Sequence, residues 1–196
     1  MPFYLFLLFF FLESFSLFAI KTSIMGSSIC KAEQMNRFLF QQNPKCDPKY
    51  KTLASIFLTE GAKEGVRGDI AFAQSLHETN FFKFTGDVQP SQNNFSGIGA
   101  FHGQKGYRFK TPQEGVQAQI QHLKAYACKR PLNYKCVDPR FGKVKRGSAI
   151  HFEDLSGKWA YPGYDTKRYK SLHTALRKKD TYGHKIVNLY NKMKKF

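Results

Sequence analysis

Residues 68–100 read GDIAFAQSLHETNFFKFTGDVQPSQNNFSGIGA, and the rest of the chain is arranged about the two halves of this stretch. The first half predicts a short helix. Gly68 breaks the preceding segment, Asp69 stands where an N-cap accepts the first free backbone N–H groups, and Thr79-Asn80 close the run. At 3.6 residues per turn, Ala71, Gln74, Ser75 and Glu78 fall near one side, while Phe72, Ala73, Leu76 and His77 cover the rest. A carboxyl at the last turn of a mostly apolar helix is poorly placed for ionisation. The helix C-terminus carries partial negative charge, and burial disfavours the charged form. Both effects raise the pKa of Glu78, as a general acid working near neutral pH requires. The second half, Gln92 to Ala100, interleaves amides, an aromatic ring and glycines. Asn93 and Asn94 are suited to hydrogen-bond acetamido and hydroxyl groups, and Phe95 to pack on a sugar face. The same residues also fit a glutamate capping its own helix end, followed by a Gly-rich turn.

A chain of 196 residues suffices for one domain with a real core. Lys and Arg number 31 against 14 acids, a net charge of +17, which predicts a polyanionic partner. No zinc-finger spacing or RNA-binding aromatic signature accompanies the charge, so anionic wall polymers are favoured and nucleic acid is not expected. Four cysteines leave two readings open. Cys128 and Cys136 flank a Pro-Leu-Asn turn and pair most easily, or all four, with Cys30 and Cys46, are free thiols. No Cys-x-x-Cys or His-x-x-x-His spacing appears, and neither metal nor cofactor is expected. A monomer is expected.

Residues 1–20 form an apolar N-terminal segment interrupted by Glu13, and residues 21–196 form the folded domain. The uninterrupted apolar part has the length of a signal-peptide core and is short for a membrane span. It lacks a positive n-region, so three readings stand: an atypical export signal, an uncleaved anchor, or an upstream extension of a domain beginning near Met25. Export is favoured, with a secreted or cell-surface location, and contact with the membrane only through this segment if it stays uncleaved.

Within the domain, Ile29, Ala32, Met35, Phe38 and Leu39 follow a helical period stopped at Asn43-Pro44. Leu53, Ile56, Phe57 and Glu60 mark a second helix, ended by Gly61. Ser96–Ala100 and Tyr107–Lys110 read as short strands joined by a Gly-rich turn. Thr111-Pro-Gln-Glu114 opens the next helix with a capping box. A helical stretch is expected around Ser148–Leu155, a short exposed helix within Gly163–Asp180, and a last helix through Tyr182, Ile186, Leu189 and Tyr190.

Several motifs carry a resemblance. AQSLHET followed by GDVQPSQNNFSGIGA, with SIMG and EGVRGD before them and EGVQAQIQHLKAYA, CVDPRF, EDLSGKWAYPG and TYGHKIVNLYN after them, is similar to the bacterial cell-wall glucosaminidases. The likeness covers nearly everything from about Ser23 to Met193. It implies an α+β fold, mainly helical, lysozyme-like with a small β-hairpin lobe. It implies an endo-β-N-acetylglucosaminidase cutting the β-1,4 bond after N-acetylglucosamine in bacterial peptidoglycan, with Glu78 as the acid. A muramidase or lytic transglycosylase of similar fold, or a non-catalytic basic wall-binding protein, are the rivals. Relatives carry an aromatic-Ala element followed by Tyr-x-x-Lys-[Ile/Leu]; Trp159-Ala160 and Tyr182-Gly-His-Lys185-Ile186 match it, but residues 163–181 stand between the two as an insertion.

The second catalytic group is not marked by the resemblance. Glu114 is accounted for by its capping box, and Asp138 by a turn before proline. Asp165 and Asp180 fit loop and cap roles, and Glu153 and Asp154 solvated or capping roles. Asp87 remains as the candidate second carboxyl, against a plain Gly-Asp turn; the substrate's own acetamido group is the alternative nucleophile. The substrate-binding set is Gln74, Asn94, Phe95, Trp159, Tyr161 and Tyr182, each with a packing or surface role as its simpler reading.

Overall fold

The computed structural model describes residues 21–101 and 103–196. The export-signal and anchor readings of residues 1–20 therefore lie outside the described residues, and no described helix is long and apolar enough to cross a membrane. The chain is mainly helical: α1 (Ala32–Gln42), α2 (Leu53–Glu64), α3 (Gly68–Glu78), α4 (Pro112–Ala127), α5 (Leu172–Arg177) and α6 (Tyr182–Met193). Two short strands, β1 (Ala100–Phe101) and β2 (Gln104–Lys105), pair antiparallel with Ala100 opposite Lys105.

Helix α3 is the central element. It packs against α1, α2, α4 and α6, and everything from Gly68 to Leu76 is buried. Its entry differs from the sequence expectation. The cap position is Arg67, and Asp69 lies in the first turn with no exposed surface. The Asp69 carboxyl accepts from the backbone N–H groups of Ile70 (2.9 Å), Ile29 (2.8 Å) and Cys30 (3.2 Å). It thus keeps the favourable place of an acid at a helix N-terminus, and also ties down the incoming chain.

Gly61 and Gly68 act in packing rather than as breaks. Helix α2 runs through Gly61 to Glu64 and ends at Gly65, whose φ of +70° suits a glycine. A Cβ on Gly61 would stand 2.7 Å from the Val66 carbonyl oxygen, and one on Gly68 2.1 Å from that of Phe57. The two glycines let α2 and α3 meet backbone to backbone.

Other expectations are adjusted by tertiary contacts. Ile29 is 69% exposed and precedes α1. The predicted helix at Ser148–Leu155 contracts to a 3₁₀ turn, Phe152–Leu155. Glu153 in that turn is buried, not solvated, and both its carboxyl oxygens accept from the Thr22 N–H (3.1 and 3.0 Å). The strands fall mostly in the stretch expected to be their turn: of the runs 96–100 and 107–110 only Ala100 is strand, and the two are tied by single bonds, Tyr107 N–H to Ile98 O and, from just upstream, Phe109 N–H to Gln92 O, each 2.9 Å. All four cysteines are free thiols, and burial pushes Cys30 up to about 11.

Directly after α3 the chain turns with Asn80, Phe81 and Phe82 at φ of +48°, +56° and +58°. Three consecutive non-glycine residues in the left-handed region cost on the order of 1–3 kcal/mol each. The turn is held by Thr79, whose hydroxyl accepts from Phe82 N–H (3.0 Å). It delivers Phe82 and Phe84 into a buried aromatic cluster with Tyr50 and Phe95, ring centroids 5.1–6.4 Å apart. Burying such rings gains roughly 1.5–3 kcal/mol apiece, which offsets the backbone cost.

Candidate active site

Because α3 is buried almost to its end, Glu78 emerges at the base of a cleft rather than on a surface. The cleft, about 430 Å³, is lined by Glu78, Asp87, Gly97, Trp159 and Tyr161 among others. Two hollows of about 780 and 810 Å³ lie elsewhere, one beside Arg67 and Lys194 and one beneath Met25–Glu33. They are larger, but the first carries no carboxyl except Glu153, which is already bonded, and the second only Glu33. The smaller cleft is where convergent polar groups and a perturbed acid coincide.

The Glu78 side chain keeps a partial opening to the cleft while protein surrounds the rest. Burial pushes its pKa up to about 7; hydrogen bonding from Tyr182 and from the Trp159 indole pulls the other way. The Tyr182 hydroxyl donates to Glu78 Oε1. Its direction is set from behind: Gln74 Nε2 donates to the Tyr182 oxygen (2.9 Å), so the single phenolic proton must point at Glu78. Gln119 Nε2 in turn donates to Gln74 Oε1 (2.9 Å) and to the Ala71 carbonyl (3.0 Å), fixing the Gln74 amide. Burial, reinforced by Glu78, raises the Tyr182 pKa well above 10, so it remains a donor. Oε1 is taken by the Tyr182 hydroxyl, which leaves Oε2 as the oxygen turned away from that bond. That oxygen lies beside Gly97, where an added Cβ would stand 3.8 Å away.

Tyr182 reaches Glu78 in spite of the insertion. The Tyr182 N–H donates to the Gly163 carbonyl (2.8 Å), so residues 163–181 leave and return at one point. Ser156 binds both sides of the junction, donating to Thr181 Oγ1 (2.8 Å) and accepting from Gly183 N–H (3.0 Å). Within the insertion, Asp180 accepts from Arg168 (2.8 Å) and from the Tyr169 hydroxyl (2.9 Å), and α5 is the predicted short helix.

Two predicted sugar ligands turn out to be structural. Phe95 has no exposed surface; its ring lies edge-on to Tyr50 and Phe82 in the core, so no sugar reaches its face. Asn94 is 1% exposed and spends its amide on the loop. Its Nδ2 donates to Ile98 O (2.9 Å) and Tyr107 O (3.0 Å), and its Oδ1 accepts from Ile98 N–H (3.0 Å). Both donors are used, so Asn94 is spent on holding the loop that carries Ser96 and Gly97 to the cleft. Gln74 is likewise fully buried and positions Tyr182. Trp159 and Tyr161, the latter 88% exposed, line the cleft with Asp87.

The structure adds residues that the sequence did not single out. His122 Nδ1 meets Asp138 Oδ2 at 2.7 Å, and the His122 ring stands edge-on to Trp159 with centroids 4.8 Å apart. Asp138 also caps its own turn through Arg140 N–H (2.9 Å), the role expected of it, so nothing local betrayed the second contact. Ser96 and Gly97 form the wall facing Trp159. Among the described residues no group of three metal-ligating side chains converges.

Replacing Tyr182 with phenylalanine removes a hydrogen bond that lowers the Glu78 pKa. The alkaline limb of activity is expected to move above pH 7, and kcat to fall about tenfold. A pH profile of kcat for Tyr182→Phe beside wild type checks both.

No solved structure matches the chain at a significant level. A Borreliella burgdorferi protein, described as an uncharacterized protein, is 45% identical over 142 residues, covering 71% of this chain and 70% of the relative. The model of the Glucosaminidase family (mannosyl-glycoprotein endo-beta-N-acetylglucosaminidase) matches residues 54–195, a span that holds Glu78, Trp159, Tyr182 and the network joining them. A buried acid held by a tyrosine in an open cleft, and a family match running from α2 to the last helix, lead to one statement: the chain belongs to the glucosaminidase family of glycoside hydrolases.

Proposed function

We propose that this chain is a lysozyme-like peptidoglycan hydrolase that cuts the β-1,4 bond after N-acetylglucosamine, with Glu78 as general acid. The carrying observation is the Glu78 carboxyl, raised by burial to about 7 so that a large share stays protonated near neutral pH, with Oε2 beside Gly97 in the cleft. As the bond to the anomeric carbon lengthens, Glu78 Oε2 passes its proton to the departing oxygen and the sugar takes on oxocarbenium character. The Tyr182 hydroxyl then stabilises the new carboxylate through Oε1. Trp159 and Tyr161 offer aromatic faces along the cleft for sugar rings.

Asp87 is exposed on the same cleft, and no other described residue lining it besides Glu78 is acidic. It is the group to hold or deprotonate the attacking water. Asp87→Asn is expected to lower kcat about a hundredfold, within the usual range for such a base. A loss below threefold, measured on soluble glycan oligomers, assigns that step to the substrate's acetamido group.

The excess of basic residues favours anionic wall polymers, and the apolar start of the chain favours a secreted or cell-surface location. Digestion of purified peptidoglycan followed by mass spectrometry of the products is the test. New reducing ends on N-acetylglucosamine are expected; muramic or anhydromuramic ends reassign the bond, and no soluble fragments overturn the reading.

A further inference from the structure

The cleft at Glu78 adjoins a second chamber of about 410 Å³, and Ser96, Gly97, Ala100 and Trp159 line both. A polymer held along Trp159 in one therefore has the other beside it. Their charges differ. The Glu78 cleft carries two carboxyls, Glu78 and Asp87, whereas the second chamber is lined by Arg140 and Lys158 and by no acid among the described residues.

Arg140 is set apart from other half-buried arginines. Arg67 is engaged by Tyr190 (2.6 Å) and Asp69 (3.7 Å), and Arg146 by the carbonyls of Cys128 and Arg130. Among the described residues the Arg140 guanidinium makes neither an ion pair nor a hydrogen bond; the nearby Asp138 binds its backbone N–H and His122 instead. At the threshold between the chambers, Ser96 is 2% exposed, and its hydroxyl is buried with no protein partner. A half-buried, unpartnered fork of donors in a hollow that no acid lines matches a carboxylate, with the Ser96 hydroxyl a spare donor just beneath the wall.

We infer that this second chamber is a carboxylate-recognising subsite in which Arg140 reads an acidic substituent on the glycan strand. The inference rests on the glycan-hydrolase reading of the Glu78 cleft and adds a substrate preference to it. The carboxylate has two possible sources on a wall glycan: the lactyl ether of a peptide-free sugar, or the stem peptide that replaces it as an amide.

Four soluble strands of equal length separate the cases: peptide-free strands with free carboxyls, the same strands with the carboxyls converted to methylamides, strands bearing stem peptides, and neutral chitin oligomers. Wild type is expected to show a KM about tenfold lower for the carboxylate strands than for the methylamides, the scale of one charged hydrogen-bonded contact. Arg140→Gln erases that ratio and Arg140→Lys keeps part of it. Lys178→Gln, a charge-matched change at the end of α5, keeps it whole. A preference seen only with stem-bearing strands supports the subsite and places the carboxylate on the peptide. Equal KM for acid and methylamide strands, with none gained by the stem, overturns the subsite; so does an equal loss in Lys178→Gln, which makes the preference one of net charge. Calorimetric binding of the same strands to the Glu78→Gln protein is independent of turnover. Acid preference there, with no cleavage by wild type, keeps the subsite and removes the hydrolase; no preference there overturns the subsite whatever cleavage shows.

Discussion

Glu78→Gln is expected to abolish lysis of cell-wall glycan, lowering kcat about a thousandfold or more while leaving the fold intact. The magnitude is that of a lost general acid, about 10²–10⁴. The same substitution makes a second, opposite change in stability. The Glu78 carboxyl is raised from the ordinary 4.5 to about 7 in the folded protein, so the unfolded chain releases this proton more easily. Folded-state stability therefore falls as pH rises from about 4.5 to 7, and the penalty is complete above 7. A shift of that size corresponds to about 3 kcal/mol. Glutamine keeps an oxygen for the Tyr182 hydroxyl and has no charge to bury. The variant is thus expected to be inactive and more stable than wild type at pH 8, with little difference at pH 4. Zymography on purified wall, paired with thermal unfolding at both pH values, checks the two effects together. Full activity in Glu78→Gln removes the mechanism; a stability gain equal at both pH values removes the buried-acid account of it.

Phe95→Ala unfolds or severely destabilises the protein, by about 3–5 kcal/mol. The ring has no exposed surface and fills the space between Tyr50 and Phe82. Its removal leaves a cavity under the loop that carries Ser96 and Gly97 into the cleft. A sugar-stacking phenylalanine would behave otherwise, raising KM while leaving the unfolding midpoint unchanged. Urea unfolding of Phe95→Ala beside Phe95→Leu separates the two, since leucine restores much of the volume and none of the flat face.

These two residues show how far a sequence foretells a side chain's surroundings, Glu78 in its burial and raised carboxyl and Phe95 not at all. Glu78 was legible because its environment is made by its own helix: ten residues of mostly small and apolar side chains lead to it, and the buried α3 follows from them. Phe95 was misread because its immediate neighbours, Asn94 and Ser96, are polar. Its partners Tyr50 and Phe82 arrive from distant segments, the second through a left-handed turn that no propensity favours. Gly61 and Gly68 were read as helix punctuation for a similar reason. A glycine's local meaning is a break, and its actual role, letting two helices touch, depends on what lies opposite.

The sequence by itself determined the mainly helical architecture, the family and a buried, poorly ionised carboxyl at the end of the central helix, because each is written in short-range pattern: period, caps and contiguous motifs. Tertiary structure alone decided which groups tune that acid. Tyr182, Gln74 and Gln119 lie on three helices and form one chain of hydrogen bonds ending at Glu78, while Asp138 and His122 stand behind Trp159. A hydrogen bond needs a particular distance and direction in space, and separation along the chain carries information about neither.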